Sequence, residues 1–402
     1  MSRLGETVAP VRLGRDFRWL LSSSWVSNLG DGIALAAGPL LVASQTDQPG
    51  LVALAVLLQQ LPWLLFGLLA GALSDRMDRK RIVVAVDLVR TGVLVVLALS
   101  ILTDTVSVAV VLAALFLVGT AEVFADNASG TLLPMLVHRD DLAIANGRLM
   151  SGYITVNQLA GPPIGAALFA AGAVWPFLTQ AVLVAAGAGL VARVTLPSRA
   201  RDDAPPSHVR ADIVEGFRWV LHSPAVRTLV LTIFTFNITY GAAWSVLVLY
   251  ATDRLGMGPV GFGLLTTMSA IGGLAGTASY GWITRRISLG DVMRIGLIVE
   301  TLTHLALALT TSPAVALGIF FVFGAHAFIW GTTSVTVRQR AVPTALQGRV
   351  SSVNSLGTYG GLVAGSAIGG VVAQQWGVVA PFWFAFAGSA VFVVLIWSQL
   401  VH

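Results

Sequence analysis

Apolar stretches of spanning length recur along the chain, parted by short polar turns. They occupy roughly 19–43, 51–73, 82–102, 106–127, 144–171 and 175–196, then 227–250, 260–283, 290–310, 313–336, 348–373 and 378–400. A run of about 20 residues crosses a hydrocarbon core of about 30 Å as a helix. Inside a bilayer only helices and closed barrels satisfy their own backbone, and these runs show no strand-like alternation. The pattern predicts an all-α integral membrane protein of twelve transmembrane helices. Most turns are too short for anything except antiparallel hairpins.

Charge placement orients this map. Charged residues make up 11% of the chain, against about 25% in soluble domains, so lipid is its main solvent. Basic residues gather on alternate turns: Arg3, Arg12, Arg15 and Arg18; Arg76, Arg79, Lys80 and Arg81; Arg139 and Arg148; Arg193 to Arg227; Arg285, Arg286 and Arg294; Arg338, Arg340 and Arg349. The opposite turns hold Arg254, and Arg90 lies within a span. Basic loops stay on the cytoplasmic side, so both termini are expected there. A pI near 10.2 then reflects topology, and no nucleic-acid partner is implied. Polar Met1–Arg18 is not a secretory leader.

The one extended linker is Pro197–Pro224. Its later part sets Ile213, Phe217, Val220 and Leu221 on one helical face, which predicts a helix at the cytoplasmic membrane surface. The halves on either side repeat weakly. Leu69-Ala70-Gly71 is echoed by Leu274-Ala275-Gly276, Lys80-Arg81 by Arg285-Arg286, and Gly147-Arg148 by Gly348-Arg349. Ala160-Gly161-Pro162-Pro163-Ile164-Gly165 is echoed by Ala364-Gly365-Ser366-Ala367-Ile368-Gly369. The expected division is a six-helix bundle at 1–197, a linker at 198–224 and a second six-helix bundle at 225–402.

Ionisable side chains within spans cost at least ~2.5–3.5 kcal/mol each, so they are candidates for function. Asp31 lies about 20 Å along its helix from Arg18, well inside the core. It suits a proton or a cationic substrate. Glu300 and His304 share a face, with His326 at similar depth on the next span, and imidazole titrates near neutrality. Glu122 and Asp126 share a face near the cytoplasmic end of their span, as partners for Arg76 or Arg79, while Asp87 pairs with Arg90. Asn28, Gln59, Trp63, Asn157, Asn237, Tyr240, Trp244, His326, Trp330, Asn354 and Tyr359 offer rings and hydrogen bonds at plausible depth for a large amphipathic ligand. The chain has no cysteine, phosphate-binding loop, metal cluster or catalytic triad. It is read as no enzyme, with no cofactor and no use of ATP.

Gly71-Ala72-Leu73-Ser74-Asp75-Arg76-Met77-Asp78-Arg79-Lys80-Arg81 resembles the signature loop of the major facilitator superfamily, with Asp78 where that pattern has glycine. Ser27-Asn28-Leu29-Gly30-Asp31, Asp87-Leu88-Val89-Arg90, Leu133-Pro134-Met135-Leu136-Val137 and Gly161-Pro162 extend the likeness. They are similar to the drug:proton antiporter branch that includes macrolide-efflux proteins and the enterobactin exporter. Leu112–Asp126 lacks the arginine common in span four of other drug exporters.

The resemblance implies two rocking bundles around a central cavity lined partly by the first span. It also implies a cytoplasmic gate at Gly71, Asp75, Arg76 and Arg79 with Glu122, Asp126, Asp87 and Arg90. Gly161, Pro162 and Gly165 would form an exporter-type kink. The expected protein is a monomeric, proton-coupled exporter of a small amphipathic drug, antibiotic or siderophore-like compound in a bacterial inner membrane. An importer or lipid transporter on the same fold, or a membrane sensor or scaffold, are the alternatives.

Overall fold

The computed structural model describes residues 11–196, 209–343 and 346–397, with the side chains of Val11, Ala72, Asp75, Arg76, Arg139 and 209–212 outside the described set. Fourteen α-helices account for nearly all of it: α1 Gly14–Gln45, α2 Pro49–Arg76, α3 Arg79–Leu102, α4 Val108–Leu136, α5 Leu142–Gly152, α6 Gly161–Ala171, α7 Trp175–Ala192, α8 Val209–His222, α9 Pro224–Trp244, α10 Pro259–Ile283, α11 Leu289–Leu309, α12 Pro313–Ala341, α13 Gln347–Trp376 and α14 Ala380–Ile396. Ten of these are long and apolar enough to cross a membrane. Of the other two expected spans, one is α14, at 17 residues just short of that length. The other is a rod in three pieces: α5 and α6 joined end to end by a π-helical stretch, Tyr153–Ala160.

That π-helical stretch has a local cause. Pro162 and Pro163 follow it after Gly161, and neither can donate a backbone hydrogen bond to the turn before it. The carbonyls they leave open favour a wider turn, and π-helical turns are otherwise rare. Ordinary signals bound the remaining helices. Asp78 caps α3 by accepting from the Arg81 amide at 3.1 Å, and Ser288 caps α11 by accepting from the Asp291 amide at 3.1 Å. Prolines 224, 259 and 313 open α9, α10 and α12, and Gly377, with φ at +87°, closes α13. The departure at Asp78 is therefore a helix cap.

Contacts divide the chain into two units. Unit 1 comprises Met1–Leu41 and Leu65–Ser207, and unit 2 comprises Val42–Leu64 and His208–His402. The second division falls between Ser207 and His208. Residues 42–64, expected with the first bundle, make their contacts in unit 2. There the Gly50 amide donates to Gln374 Oε1 at 3.3 Å, and Trp63 stacks on Tyr359 with centroids 5.4 Å apart.

In unit 1, glycines bring α6 and the π-helical stretch onto α1. A side chain at Gly161 would strike the backbone of Gly32, and one at Gly165 would strike the Ile33 carbonyl. The basic end of the unit is held by Lys80 Nζ donating to the Val194 carbonyl at 2.8 Å, the Thr195 amide donating to Asp16 at 2.7 Å, and an Arg12–Asp141 ion pair at 3.4 Å.

Unit 2 repeats the glycine device. Gly361, Gly365 and Gly369 face the carbonyls of Phe234, Ile238 and Ala242, successive turns of α9. Gly272, Gly276 and Gly324 close α10 on α12 in the same way. Small residues permit such approach where lipid supplies no hydrophobic drive between helices. The surface helix α8 seats Gly216 against the backbone of Arg349, and its Glu215 pairs with Arg349 at 3.0 Å. On this helix Ile213, Phe217, Val220 and Leu221 fall within about 100° of one another. Val220 is buried with Val226, Val342, Val350 and Val353, and Phe217 and Leu221 are about half exposed.

Candidate functional site

The main polar feature of unit 1 is Arg90. It sits one helical turn after Asp87 on α3 and is only 1% exposed, so its charge is removed from both water and lipid headgroups. A guanidinium in that position needs carboxylates, and three converge on it. Arg90 Nη2 is ion-paired to Asp31 Oδ1, from the middle of α1. Its Nη1 lies 3.2 Å from Asp87 Oδ1, and its Nη2 lies 3.9 Å from Glu122 Oε2 on α4. Gln180 on α7 donates to Asp31 from 3.5 Å, so four helices contribute. Charge-assisted bonds of this kind are shorter and stronger than neutral ones.

The cluster has a dry side and an open side. Asp31 and Asp87 are buried, Glu122 has 29% of its side chain exposed, and Asp126, one turn further on α4, is exposed. Tyr153, at the start of the π-helical stretch, lies within electrostatic range of Asp126 and Glu122. Its hydroxyl accepts from Gln158 at 3.1 Å, and Gln158 also donates to Asn157 Oδ1 at 2.6 Å. Gly32, next to Asp31, touches the backbone of Asn157. The kinked rod thus rests on the turn of α1 that carries Asp31.

Arg90 was not expected as the partner of Asp31 or Glu122; among the described contacts it lies within ion-pair range of both. Arg79 donates to the Ser74 carbonyl and to Met135 Sδ, each at 3.1 Å. The gate residues Asp75 and Arg76 have side chains outside the described residues, and Gly71 has its nearest neighbour in Asn127. Of the expected gate set, the structure gathers Asp87, Arg90 and Glu122. The sequence held the missing clue: Arg90 lies within a span, far from the basic turns.

Unit 2 holds a second set. Glu300 Oε2 and His326 Nε2 are 3.7 Å apart, and His304 is fully buried one turn along from Glu300. Trp244 meets the His304 ring edge-on at 6.0 Å, and Phe323 meets His326 at 5.7 Å. Tyr240 and Trp244 stack with Phe320 and Phe323, and Trp330 abuts Gly296 beside His326.

The other expected cavity residues separate into groups. Trp63 and Tyr359 form the stack described above. Asn28 donates to Ser24, and Asn237 donates to Ile233 at 2.7 Å, each within its own helix. Asn157 is buried on α1. Gln59 and Asn354 are partly buried, and Asn354 Oδ1 has no hydrogen-bond partner among the described residues. Pro162 is buried with Gly161 and Gly165.

Two long arrays of packed apolar helices, glycine-stitched in the same pattern, define a major facilitator fold. A bacterial homologue of the iron transporter ferroportin in its inward-facing state superposes with a TM-score of 0.76 at 19% identity, covering 96% of this chain and 99% of that one. The chain belongs to the transmembrane secretion effector family, whose pattern matches residues 5–401, and it is a multi-pass membrane transporter and not an enzyme. It is 28% identical over 388 residues to the multidrug efflux pump Tap of Mycolicibacterium fortuitum, covering 90% of each chain. It is 25% identical over 371 residues to the enterobactin exporter EntS of Shigella boydii serotype 4 (strain Sb227), covering 89% of this chain and 86% of that one.

Proposed function

We propose that this transporter is a proton-coupled exporter of a bulky amphipathic compound. It would work as a monomer of twelve spans in a bacterial cytoplasmic membrane, with both termini inside. The relatives named as an efflux pump and an exporter support the direction. The observation that carries the coupling is the sharing of Arg90 among Asp31, Asp87 and Glu122. One guanidinium balances one carboxylate, and an excess of buried negative charge is costly. The remaining carboxylates are therefore places where protons bind and leave.

Glu122 is the exchange point in this reading, because it is the cluster's solvent-reaching member. With a proton on Glu122, Arg90 belongs to Asp31 and Asp87, and α1, α3 and α7 are drawn together. When the proton leaves, Glu122 competes for Arg90 and loosens its hold on α1. The kinked rod on Gly32 carries that change along α1. Alternating access then follows as residues 1–197 rock against 225–402, with substrate bound near the aromatic residues of α2, α9 and α13.

The test uses purified protein in vesicles, with ethidium, a lipophilic cation, as the probe. Glu122→Gln keeps size and hydrogen bonding but removes the exchanging carboxyl, and Asp31→Asn keeps size but removes the counter-charge that Arg90 holds on α1. Each should abolish uphill ethidium movement driven by a pH gradient while retaining downhill exchange. Wild-type uphill rates in both variants would remove Arg90 and its partners from coupling.

A further inference from the structure

Unit 2 has buried titratable side chains that the Arg90 cluster does not use. Glu300 and His304 project from one face of α11, one turn apart, and His326 faces Glu300 from α12 at 3.7 Å. His304 and His326 are both more than nine-tenths buried. Neither ring nitrogen of His304 has a hydrogen-bond partner among the described residues, and nor does Nδ1 of His326. A buried polar atom left unbonded costs about 1–3 kcal/mol, and this cluster has several.

Among the described residues no fixed cation reaches this set. On α11, Arg294 pairs with Asp291 at 3.5 Å and donates to the Trp397 carbonyl at 3.2 Å. On α9, Arg227 donates to the Leu221 carbonyl, and Tyr240 adds a neutral phenol. On α12, Arg338 and Arg340 lie about 18 Å or more along the helix from His326. Tyr280 of α10 approaches Thr333 of α12, and α14 carries no titratable side chain. The contrast with unit 1 is chemical. There a permanent guanidinium dictates where negative charge sits. Here one carboxyl and two imidazoles must settle their charge among themselves.

We propose that Glu300, His304 and His326 form a second proton-binding site, built wholly within unit 2, so that the transport cycle moves two protons. The two-proton cycle rests on the proton-coupled export reading above. The site has two arrangements of equal net charge: a carboxylic acid beside a neutral imidazole, and a carboxylate beside an imidazolium. In passing between them the Glu300 O–H bond breaks and a His326 N–H bond forms, with no other species required. The 3.7 Å separation exceeds hydrogen-bonding distance by less than 1 Å. A small slide of α11 along α12 therefore decides whether the proton is shared or localised. His304, one turn deeper along the same face, is the next acceptor.

A purely structural role predicts the same packing but no proton traffic, and proton counting separates the two. Purified full-length protein in detergent, without substrate, is taken from mildly acidic to mildly alkaline pH, and the protons released are measured with a soluble pH dye. Glu300→Gln should release about one proton fewer than wild type, Glu122→Gln about one fewer, and the double variant about two fewer. His326→Gln should shift the pH midpoint of release, because it removes the facing acceptor. If Glu300→Gln folds poorly, the shifted midpoint in His326→Gln, which keeps the Glu300 proton and removes its acceptor, supplies the comparison. A release from Glu300→Gln equal to wild type, or an unshifted midpoint in His326→Gln, overturns the proposal.

The transport arm uses ethidium-loaded vesicles with the membrane potential clamped at zero. A tenfold proton gradient should sustain about a hundredfold ethidium gradient in wild type and about tenfold in Glu300→Gln. Equal gradients in the two proteins would overturn the two-proton cycle. Failure of wild type to move ethidium would count against the export reading, while the proton count would still decide this site.

Discussion

Removing the charge of Arg90 is the most searching perturbation available in unit 1. At 3.2 Å and 3.9 Å, and with an effective dielectric near 20, attraction to Asp87 and Glu122 amounts to about 5 and about 4 kcal/mol before carboxylate repulsion is subtracted. Asp31 is held more closely still. Arg90→Gln leaves these acids facing one another in a dry interior, and breaking such a buried set costs about 3–5 kcal/mol. Asp31→Asn leaves Arg90 with Asp87 and Glu122 and relieves some repulsion, so its cost should be about 1–2 kcal/mol. The double variant should be less damaging than the two losses added, by about 2 kcal/mol. Unfolding of the purified variants in mixed detergent and dodecyl sulfate, followed by circular dichroism, measures all three. Strict additivity, or an Arg90→Gln protein within about 1 kcal/mol of wild type, would refute the shared-cation account.

Other outcomes test separate parts of the structure. Gly165→Leu should impair folding and transport, because its side chain meets the Ile33 carbonyl, whereas Gly189→Leu, with open space around it, should be tolerated. Asp78→Ala should cost about 1 kcal/mol through loss of the cap and Asp78→Gly only a few tenths, as measured by thermal unfolding. Reporter fusions after Leu196 and His402 should read cytoplasmic and one after Asp47 external, and an external signal at His402 would overturn the charge-based topology.

The helices were legible because lipid imposes one rule on every span, and hydropathy with arginine placement expresses it directly. The glycine crossings were partly legible: Gly161 and Gly165 were singled out with their counterparts Gly365 and Gly369, and all four sit against a carbonyl or backbone of the helix crossed. The partners of the charges were not. Asp31 and Arg90 are far apart in sequence, and a place near the cytoplasmic end of its span suggested Arg76 or Arg79 for Glu122, whereas Arg90, further along the same helix as Arg79, lies within ion-pair range of it. Charge balance inside the membrane was the available signal, since an arginine within a span needed the acids within spans. Unit 2 was easier, because Glu300 and His304 share a face by spacing alone. The assignment of 42–64 to unit 2 was hidden for another reason. Span order says which helix a residue belongs to, but not which neighbours its outer end touches.

Lys80 is the only lysine in a chain without cysteine, and its amine is spent on the Val194 carbonyl. Apart from the α-amino group, an acylating reagent therefore has one nitrogen to attack, and only while that bond is open. The unaltered polypeptide carries its own single-site chemical probe: the rate at which Lys80 is acylated reports how often the ends of α3 and α7 part. Any thiol introduced elsewhere would be equally solitary, so two orthogonal labels can be placed on the native background without first removing a residue.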